Sequence, residues 1–453
     1  MPKNDLAFKA VRSARTKALD IFETAFLNLK QNNWQGTEGS LPEEDATRAM
    51  SISRLALPFQ TDAELREEYI NHQGDLRLGL LLEDADALCG FAAYTHCSSM
   101  ATLPSIVTAS MDRLTLSSKK SLRSDQNLQL LASVTATGRS SMNVDLDVAT
   151  VGPIPTSVVT ASFTFVARSS STYGPVGVPK VEPSQGNARE TILHAEGQKR
   201  QSLRKNERAK SLNRVPPNAE EQGILHELFT AYKPGSTLIK KHFNQGGMSP
   251  AGGNIMEEFG EGGVGRSDSG GKILYKIRDT KMGSISICHP QMRNIHNKVF
   301  GGYLMRKAYE IAWTNANLVI GDPNIYLIEL DNTFFRYPVE VGSILEFQAR
   351  SVYSTGNTLS ISVHADVINP KTKEKKRTNT FEFCFGVKGS GDSGPGTDSE
   401  SKIEIPEIIP RTYEEGMAYL TARRNLNSMR ANSAKEDQRD ETILFDLKHY
   451  LRA

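Results

Sequence analysis

The sequence predicts an α+β fold made twice over. Two observations carry that prediction. Segments about 220 positions apart repeat the same order of long apolar helix, strands and glycine turn. The strands in both alternate apolar with polar residues at period two, as in a sheet with one face on a core. Each copy therefore reads as an antiparallel, hairpin-rich sheet wrapped around a long central helix, and the copies as halves that pair like the subunits of a dimer. Size agrees, since 453 residues correspond to two or three folded units.

Residues 1–49 form a basic N-terminal extension. Its first nineteen residues carry Lys3, Lys9, Arg12, Arg15 and Lys17 against Asp5, which fits a mitochondrial presequence or an ordinary basic helix. The first half spans 50–190. There Leu80, Leu81, Leu82, Ala85, Leu88, Cys89, Ala92 and Ala93 recur at helical spacing over a broad face, which predicts a largely buried helix. Val144, Leu146 and Val148 then alternate with Asn143, Asp145 and Asp147, and Phe163 and Phe165 flank Thr164.

Residues 191–272 read as a basic helical linker with a glycine-rich insertion. Seven Lys/Arg residues lie between Lys199 and Arg214, as a solvated face or a phosphate contact, and ten glycines fall within the 26 residues Gly246 to Gly271. The Gly260-Glu-Gly262-Gly-Val-Gly265 spacing of a dinucleotide fingerprint has no strand before it and no helix after it, so it reads as chance. The second half spans 273–388, with Phe300, Leu304, Met305, Ala308, Ile311, Ala312 and Leu318 at helical spacing around Gly301-Gly302. Leu359, Ile361, Val363, Ala365 and Val367 alternate with polar residues, and Phe381, Phe383 and Phe385 flank Glu382 and Cys384. Thr137-Gly138 matches Thr355-Gly356, and Phe163 matches Phe381, both at an offset of 218. Residues 389–453 read as a Gly/Ser-rich insertion and a tail.

Composition excludes several classes. Hydrophobic residues at 38% and charged residues at 23% describe a globular chain, not a disordered polymer. A net charge of +2 lacks the basic excess of a chain devoted to nucleic acid, so nucleic acid is an unfavoured partner. Cys89, Cys97, Cys288 and Cys384 form no close pair and no CxxC, which argues against disulfides and zinc and for a reducing compartment. No apolar run approaches the roughly 18 residues of a membrane span.

The stretch His289-Pro-Gln-Met-Arg-Asn294-Ile-His296-Asn297-Lys-Val-Phe-Gly301-Gly302-Tyr-Leu-Met-Arg-Lys-Ala-Tyr309-Glu-Ile-Ala-Trp313 closely resembles the core motif of the double-hotdog acyl-coenzyme A thioesterases, in particular the mitochondrial acyl-coenzyme A thioesterase 9 group. Supporting words are Leu76-Arg-Leu-Gly79-Leu-Leu-Leu-Glu83-Asp84-Ala-Asp86, Ser105-Ile-Val-Thr-Ala109 with Asp112, Pro338-Val-Glu-Val-Gly342-Ser and Asn427-Ser-Met. The resemblance runs from about residue 50 to about 430, interrupted by the glycine-rich insertions. It implies two fused hotdog domains, hydrolysis of acyl-coenzyme A to free fatty acid and coenzyme A, no cofactor, a homo-oligomer, and the mitochondrial matrix, with the cytoplasm as the alternative.

The residues themselves fit thioester hydrolysis, which needs a base or nucleophile, a donor to the carbonyl oxygen and a dry groove. Asp86 lies two turns into an apolar helix, where a carboxylate is costly unless it works or is paired; the alternative is a solvent-facing Asp. Glu83 and Asp84 beside it read as solvent-facing, or as an acidic patch away from the phosphates. Asn294, on the loop before the second helix, can donate to a carbonyl or form a turn. Gly301 and Gly302 expose backbone N–H groups at a helix N-terminus, an oxyanion site.

Overlaying Gly79 on Gly302 sets Asp86 opposite Tyr309 and Asn71 opposite Asn294, so the acid occurs once. Glu310, next along the helix from Tyr309, is turned by about 100°. In the family each site joins the loop Asn of one hotdog to the helix acid of the other, which implies one complete pair, Asp86 with Asn294. His289 and His296 match no metal-ligand spacing, so no metal is expected, and His296 is assigned to lining the site. Arg306, Lys307, Lys119 and Lys120 are candidate contacts to the coenzyme A phosphates. The rivals are a hydratase, which needs a His beside the acid and finds only His96 ten residues on, and a non-catalytic acyl-coenzyme A or nucleic-acid binder.

Overall fold

The computed structural model describes residues 47–100, 103–116, 122–152, 155–169, 172–209, 212, 214–231, 266–267, 273–293, 298–321, 324–387 and 405–436. The N-terminal extension up to residue 46, the Gly260–Gly265 match and the second Gly/Ser-rich stretch from residue 388 fall outside the described residues. The chain divides into two units. Of the described residues, the first takes those up to Arg204 together with Arg293–Arg306, and the second takes those of Lys205–Met292 and Lys307–Arg439.

In the first unit, β1 (Thr47–Ala49) pairs in parallel with β7 (Lys180–Glu182). The main strands are β2 (Ile52–Leu57), β3 (Ser105–Leu116), β4 (Leu128–Thr137), β5 (Ser141–Thr150) and β6 (Ser157–Arg168). They hydrogen-bond in the order β3-β6-β5-β4-β2, antiparallel throughout. Helix α1 (Ala63–Tyr69) is capped by the Asp62 side chain and leads into α2 (Leu78–His96), which lies against all five strands. Fourteen of the nineteen residues of α2 are buried, which is why its sequence is apolar nearly all round.

Val144, Leu146 and Val148 face that core, whereas Asn143 and Asp145 lie on the other face, where α3 (Ala188–Ala209) reaches Asp145. Arg200 of α3 pairs with Asp145 at 2.5 Å and His194 Nδ1 lies 2.8 Å from the Thr135 carbonyl oxygen. A Cβ at Gly197 would stand 2.9 Å from the Thr135 Cβ, so glycine is what lets α3 rest on β4.

The second unit contains α4 (Ala219–Ala231) and the short strands β8 (Arg266–Ser267) and β9 (Ile273–Lys276). Its sheet comprises β10 (Met282–Ile287), β11 (Ile325–Phe334), β12 (Ile344–Thr355), β13 (Thr358–Ile368) and β14 (Lys375–Val387), in the antiparallel order β10-β12-β13-β14-β11. Helix α5 (Gly301–Ile320) carries Tyr309, whose ring packs on Phe383 and Phe385, and Asn315, which bonds the Thr280 carbonyl and the Ser351 hydroxyl.

After the second glycine-rich stretch, where the sequence analysis leaves a tail, the chain forms β15 (Glu407–Ile409), parallel to β9, and α6 (Tyr413–Glu436). Leu420, Ala422 and Leu426 of α6 are buried, and Arg424 pairs with Glu221 of α4 at 2.6 Å.

The repeat is visible in the register. Thr137 and Thr355 each end the strand before a hairpin, and Phe163 and Phe381 each pair with a valine on the neighbouring strand, Val144 and Val363, the two valines one position off the 218-residue offset. Gly356 takes φ +60° in its hairpin, where a side chain would be strained. Ahead of each helix an isolated bridge closes the preceding loop, Ile70↔Leu76 in one copy and Arg293↔Val299, 223 positions later, in the other.

Candidate active site

Every contact of Asp86 described here lies within the first unit. The residue sits on the third turn of α2, 1% exposed, so its carboxylate must find its donors inside the protein. Oδ1 accepts from the Thr108 hydroxyl of β3 at 2.9 Å, and Oδ2 accepts from the backbone N–H of Gly302 at 2.8 Å. The second donor is a consequence of position. Gly302 lies in the opening turn of α5, where backbone N–H groups have no partner within the helix and favour negative charge.

Burial pushes the Asp86 carboxyl up to about 7; the Thr108 and Gly302 hydrogen bonds pull it back, and the charge of Glu83 adds a further upward push. The carboxyl can therefore lose and regain a proton near neutrality. Cys89, one turn on, is no rival nucleophile, because burial and the neighbouring Asp86 and Asp145 push its thiol well above the ordinary range.

Gly302 is confined as well as engaged. A Cβ there would stand 2.8 Å from the Cα and 2.9 Å from the carbonyl oxygen of Glu83, so only glycine brings its N–H this close to α2. One turn further, Arg306 Nη1 donates to Glu83 Oε2 at 2.9 Å, with its guanidinium 5.6 Å from the centre of the Tyr303 ring. Asp84 is 2% exposed and accepts from the Tyr69 hydroxyl. The expectation that Glu83 and Asp84 face solvent is thus corrected. On a helix covered nearly all round, Asp84 is buried and Glu83 is half-buried, and both take partners within the protein.

Of the other residues singled out from sequence, Gly301 and Gly302 open α5, and the Gly302 N–H is committed to Asp86. Arg306 is ion-paired with Glu83, and Lys307 with Glu310 at 2.9 Å. Asn294, His296, Lys119 and Lys120 lie outside the described residues. No group of His, Cys, Asp or Glu among the described residues could hold a metal ion.

At the corresponding places in the repeat, Asn71 Oδ1 accepts from the N–H groups of Gln73 and Asp75 in its own turn, and Tyr309 lies on phenylalanine rings. Glu382 in the second unit is also pushed up to about 7 by burial, but it takes the Ser362 hydroxyl as donor and faces Leu426 and Met429 of α6. Thr108 received no role from sequence. It stood inside the word Ser105 to Ala109, but a hydroxyl in a strand carries no periodic signature.

No family model matches the chain. It is 34% identical over 385 residues to acyl-coenzyme A thioesterase 10, mitochondrial, of Mus musculus, an alignment that covers 84% of this chain and 78% of that protein. The chain belongs to the acyl-coenzyme A thioesterases. It is also 33% identical to acyl-coenzyme A thioesterase 9, mitochondrial, of Homo sapiens, over 84% of this chain and 77% of that one. With acyl-coenzyme A thioesterase 2, chloroplastic, of Humulus lupulus, identity is 31% over 83% of this chain and 80% of the relative. Among solved structures, an acyl-CoA hydrolase of Staphylococcus aureus with butyryl coenzyme A aligns at 20% identity over 38% of this chain and 98% of that one, with a TM-score of 0.33. For a thioesterase, a buried carboxylate that titrates near neutrality beside a helix N-terminus supplies a base or nucleophile at the edge of a site suited to developing negative charge.

Proposed function

We infer that this chain hydrolyses acyl-coenzyme A thioesters to free fatty acid and coenzyme A through one site centred on Asp86. The observation that carries the assignment of the site is the geometry of that carboxylate: buried, raised to about 7, and aimed by two donors on different elements. Ionised Asp86 either removes the proton from a water that attacks the thioester carbonyl and then returns it to the coenzyme A thiolate as the C–S bond breaks, or attacks the carbonyl itself and expels that thiolate to give an anhydride that water opens, regenerating the carboxylate while a proton from that water neutralises the thiolate. Both routes place negative charge on the former carbonyl oxygen. The Asn294 amide and the backbone N–H groups that open α5 at Gly301 are assigned to that oxygen, since the Gly302 N–H is held by Asp86.

The two helix-and-sheet halves, 50–190 and 273–388, are proposed as fused hotdog domains. The reading is supported by the repeated register and by membership of the thioesterases. His296 is assigned to lining the site, Lys119 and Lys120 to the coenzyme A phosphates, and Lys307 to the same task only by exchanging its present carboxylate partner, whereas Arg306, held by Glu83, is not assigned to them. Coenzyme A belongs to substrate and product, so the reaction needs no cofactor. A homo-oligomer is proposed. The mitochondrial matrix is the proposed location, supported by relatives named mitochondrial and by the basic first nineteen residues.

The test is thiol release from acyl-coenzyme A esters of increasing chain length by the unaltered protein and by its Asp86→Ala and Asn294→Ala variants. Turnover should fall by roughly a hundredfold or more in each variant, the scale of losing a base or an oxyanion donor. Binding of esters without thiol release by the unaltered protein would make it an acyl-coenzyme A sensor instead.

A further inference from the structure

On α5, Gly302 and Arg306 are four residues apart and so lie on one face; on α2, Glu83 and Asp86 are three apart and do the same. The two faces meet in two rungs, the Gly302 N–H on Asp86 at 2.8 Å and Arg306 on Glu83 at 2.9 Å. We propose that the Arg306–Glu83 ion pair braces the first rung, which makes Arg306 a positioning residue for hydrolysis and not a phosphate contact. The proposal rests on Asp86 being the reacting carboxylate.

Gly302 has no side chain with which to hold its place. Its N–H meets Asp86 only while the opening turn of α5 stays pressed against the Glu83 backbone, and Arg306 is anchored to the side chain of that same Glu83. The pair is well placed to bear this load. The Arg306 and Glu83 side chains are 20% and 13% exposed, so water competes little for them, and the Tyr303 ring lies against the guanidinium. Removing either partner would leave a largely desolvated charge, a penalty unlike that of breaking a surface pair.

The brace also acts on charge. Asp86 responds to the Thr108 hydroxyl on β3, to the Gly302 N–H on α5 and to Glu83 on α2. Cys89 stays protonated, and Asp84 is turned to Tyr69. Arg306 both keeps the Gly302 donor in place and offsets the negative charge of Glu83. Its loss acts in one direction through both, since a weaker donor and an unscreened Glu83 each let Asp86 keep its proton to higher pH.

The experiment measures kcat and KM for thiol release across pH for Arg306→Met, Arg306→Lys, Glu83→Gln and Asp86→Asn, with circular dichroism and Tm on each to verify folding. Arg306→Met should lower kcat at pH 7 by roughly ten- to a hundredfold, the scale of a small misplacement of a reacting group, with little change in KM, and should move the acid limb of kcat/KM to higher pH. Arg306→Lys should restore part of the loss, and Glu83→Gln should also lower kcat, because the arginine loses its anchor.

The brace is overturned if Arg306→Met raises KM alone while Glu83→Gln leaves kcat intact, the pattern of an arginine serving a phosphate. It is equally overturned if both folded variants behave as the parent. Asp86→Asn separates the two readings. If it retains turnover, the assignment of Asp86 fails; if it is inactive while the brace variants are silent, the brace alone fails.

Discussion

At the residue scale, the buried Asp86 carboxyl is a cost to the fold and, in the proposed reading, the reacting group. As base or nucleophile it must be ionised, and burial holds its proton up to about 7. The acid limb of kcat/KM should therefore turn over near neutrality; a profile flat down to the ordinary carboxylate range would remove Asp86 from the reaction. The same shift fixes a stability effect. The folded state holds this proton more tightly than the unfolded chain, so the resulting stabilisation is complete below the ordinary value of 3.8 and is lost as pH rises towards about 7. At pH 8 the charged form costs the fold about 4 kcal/mol by this linkage. Asp86→Asn can keep both hydrogen bonds, its carbonyl to Gly302 and its amide to Thr108. It should be inactive yet melt higher than the parent at pH 8, with the gain shrinking towards pH 4. Gly302→Ala is the complementary change. Its methyl would meet the Glu83 backbone, at a cost of about 1–3 kcal/mol from overpacking, and would push the N–H off Asp86, so activity should fall further than Tm. Asp86 was legible in the sequence because a charge broke an apolar helical pattern. Thr108, Glu83 and Asp84 were not, because their partners come from other elements and no local spacing announces them.

At the scale of elements, the two central helices and their sheets could be read from period, whereas the coverings of those sheets could not. Alternation placed Asn143 and Asp145 opposite the core correctly, but period two does not say whether a polar face meets water or a polar helix. Here α3 covers it, through Arg200 and His194. The missed helix α6 did carry a local signal. Thr412 and Glu415 form a capping box, each side chain accepting from the other's backbone N–H, as do Asn218 and Glu221 at the start of α4. Glu221 has a second task. It accepts from Arg424 of α6 through both oxygens at 2.6 Å, and the arginine holds its carboxyl below the ordinary range. Glu221→Ala removes a cap and leaves Arg424 without this partner, so it should cost roughly 2–3 kcal/mol. Thermal unfolding should show the loss at pH 7, and the loss should shrink in acid, where the parent carboxyl is protonated as well.

For the whole molecule, the proposed reading sets two similar helix-and-sheet halves against a single site. Both halves keep what the sheets need, the antiparallel strand pairs and the buried phenylalanines, with the register shifted by one position. The residues proposed for the chemistry are not repeated. Tyr309 occupies the place of Asp86 and is used as packing against Phe383 and Phe385, and Asn71 occupies the place of Asn294 and is used up by its own turn. Calorimetry with a non-hydrolysable thioether analogue should accordingly give one catalytic-site equivalent per chain. Asp86→Ala should abolish all turnover, while Asn71→Ala and Tyr309→Phe should leave kcat within about twofold of the parent. Two equivalents, with half the turnover surviving Asp86→Ala, would mean that the second half is active through other residues. Writing the acid back should fail as well. Tyr309→Asp would remove the ring that packs on Phe383 and Phe385. That variant should therefore lower Tm without adding turnover, because what makes Asp86 useful is the pair of donors that the rest of the unit brings to it.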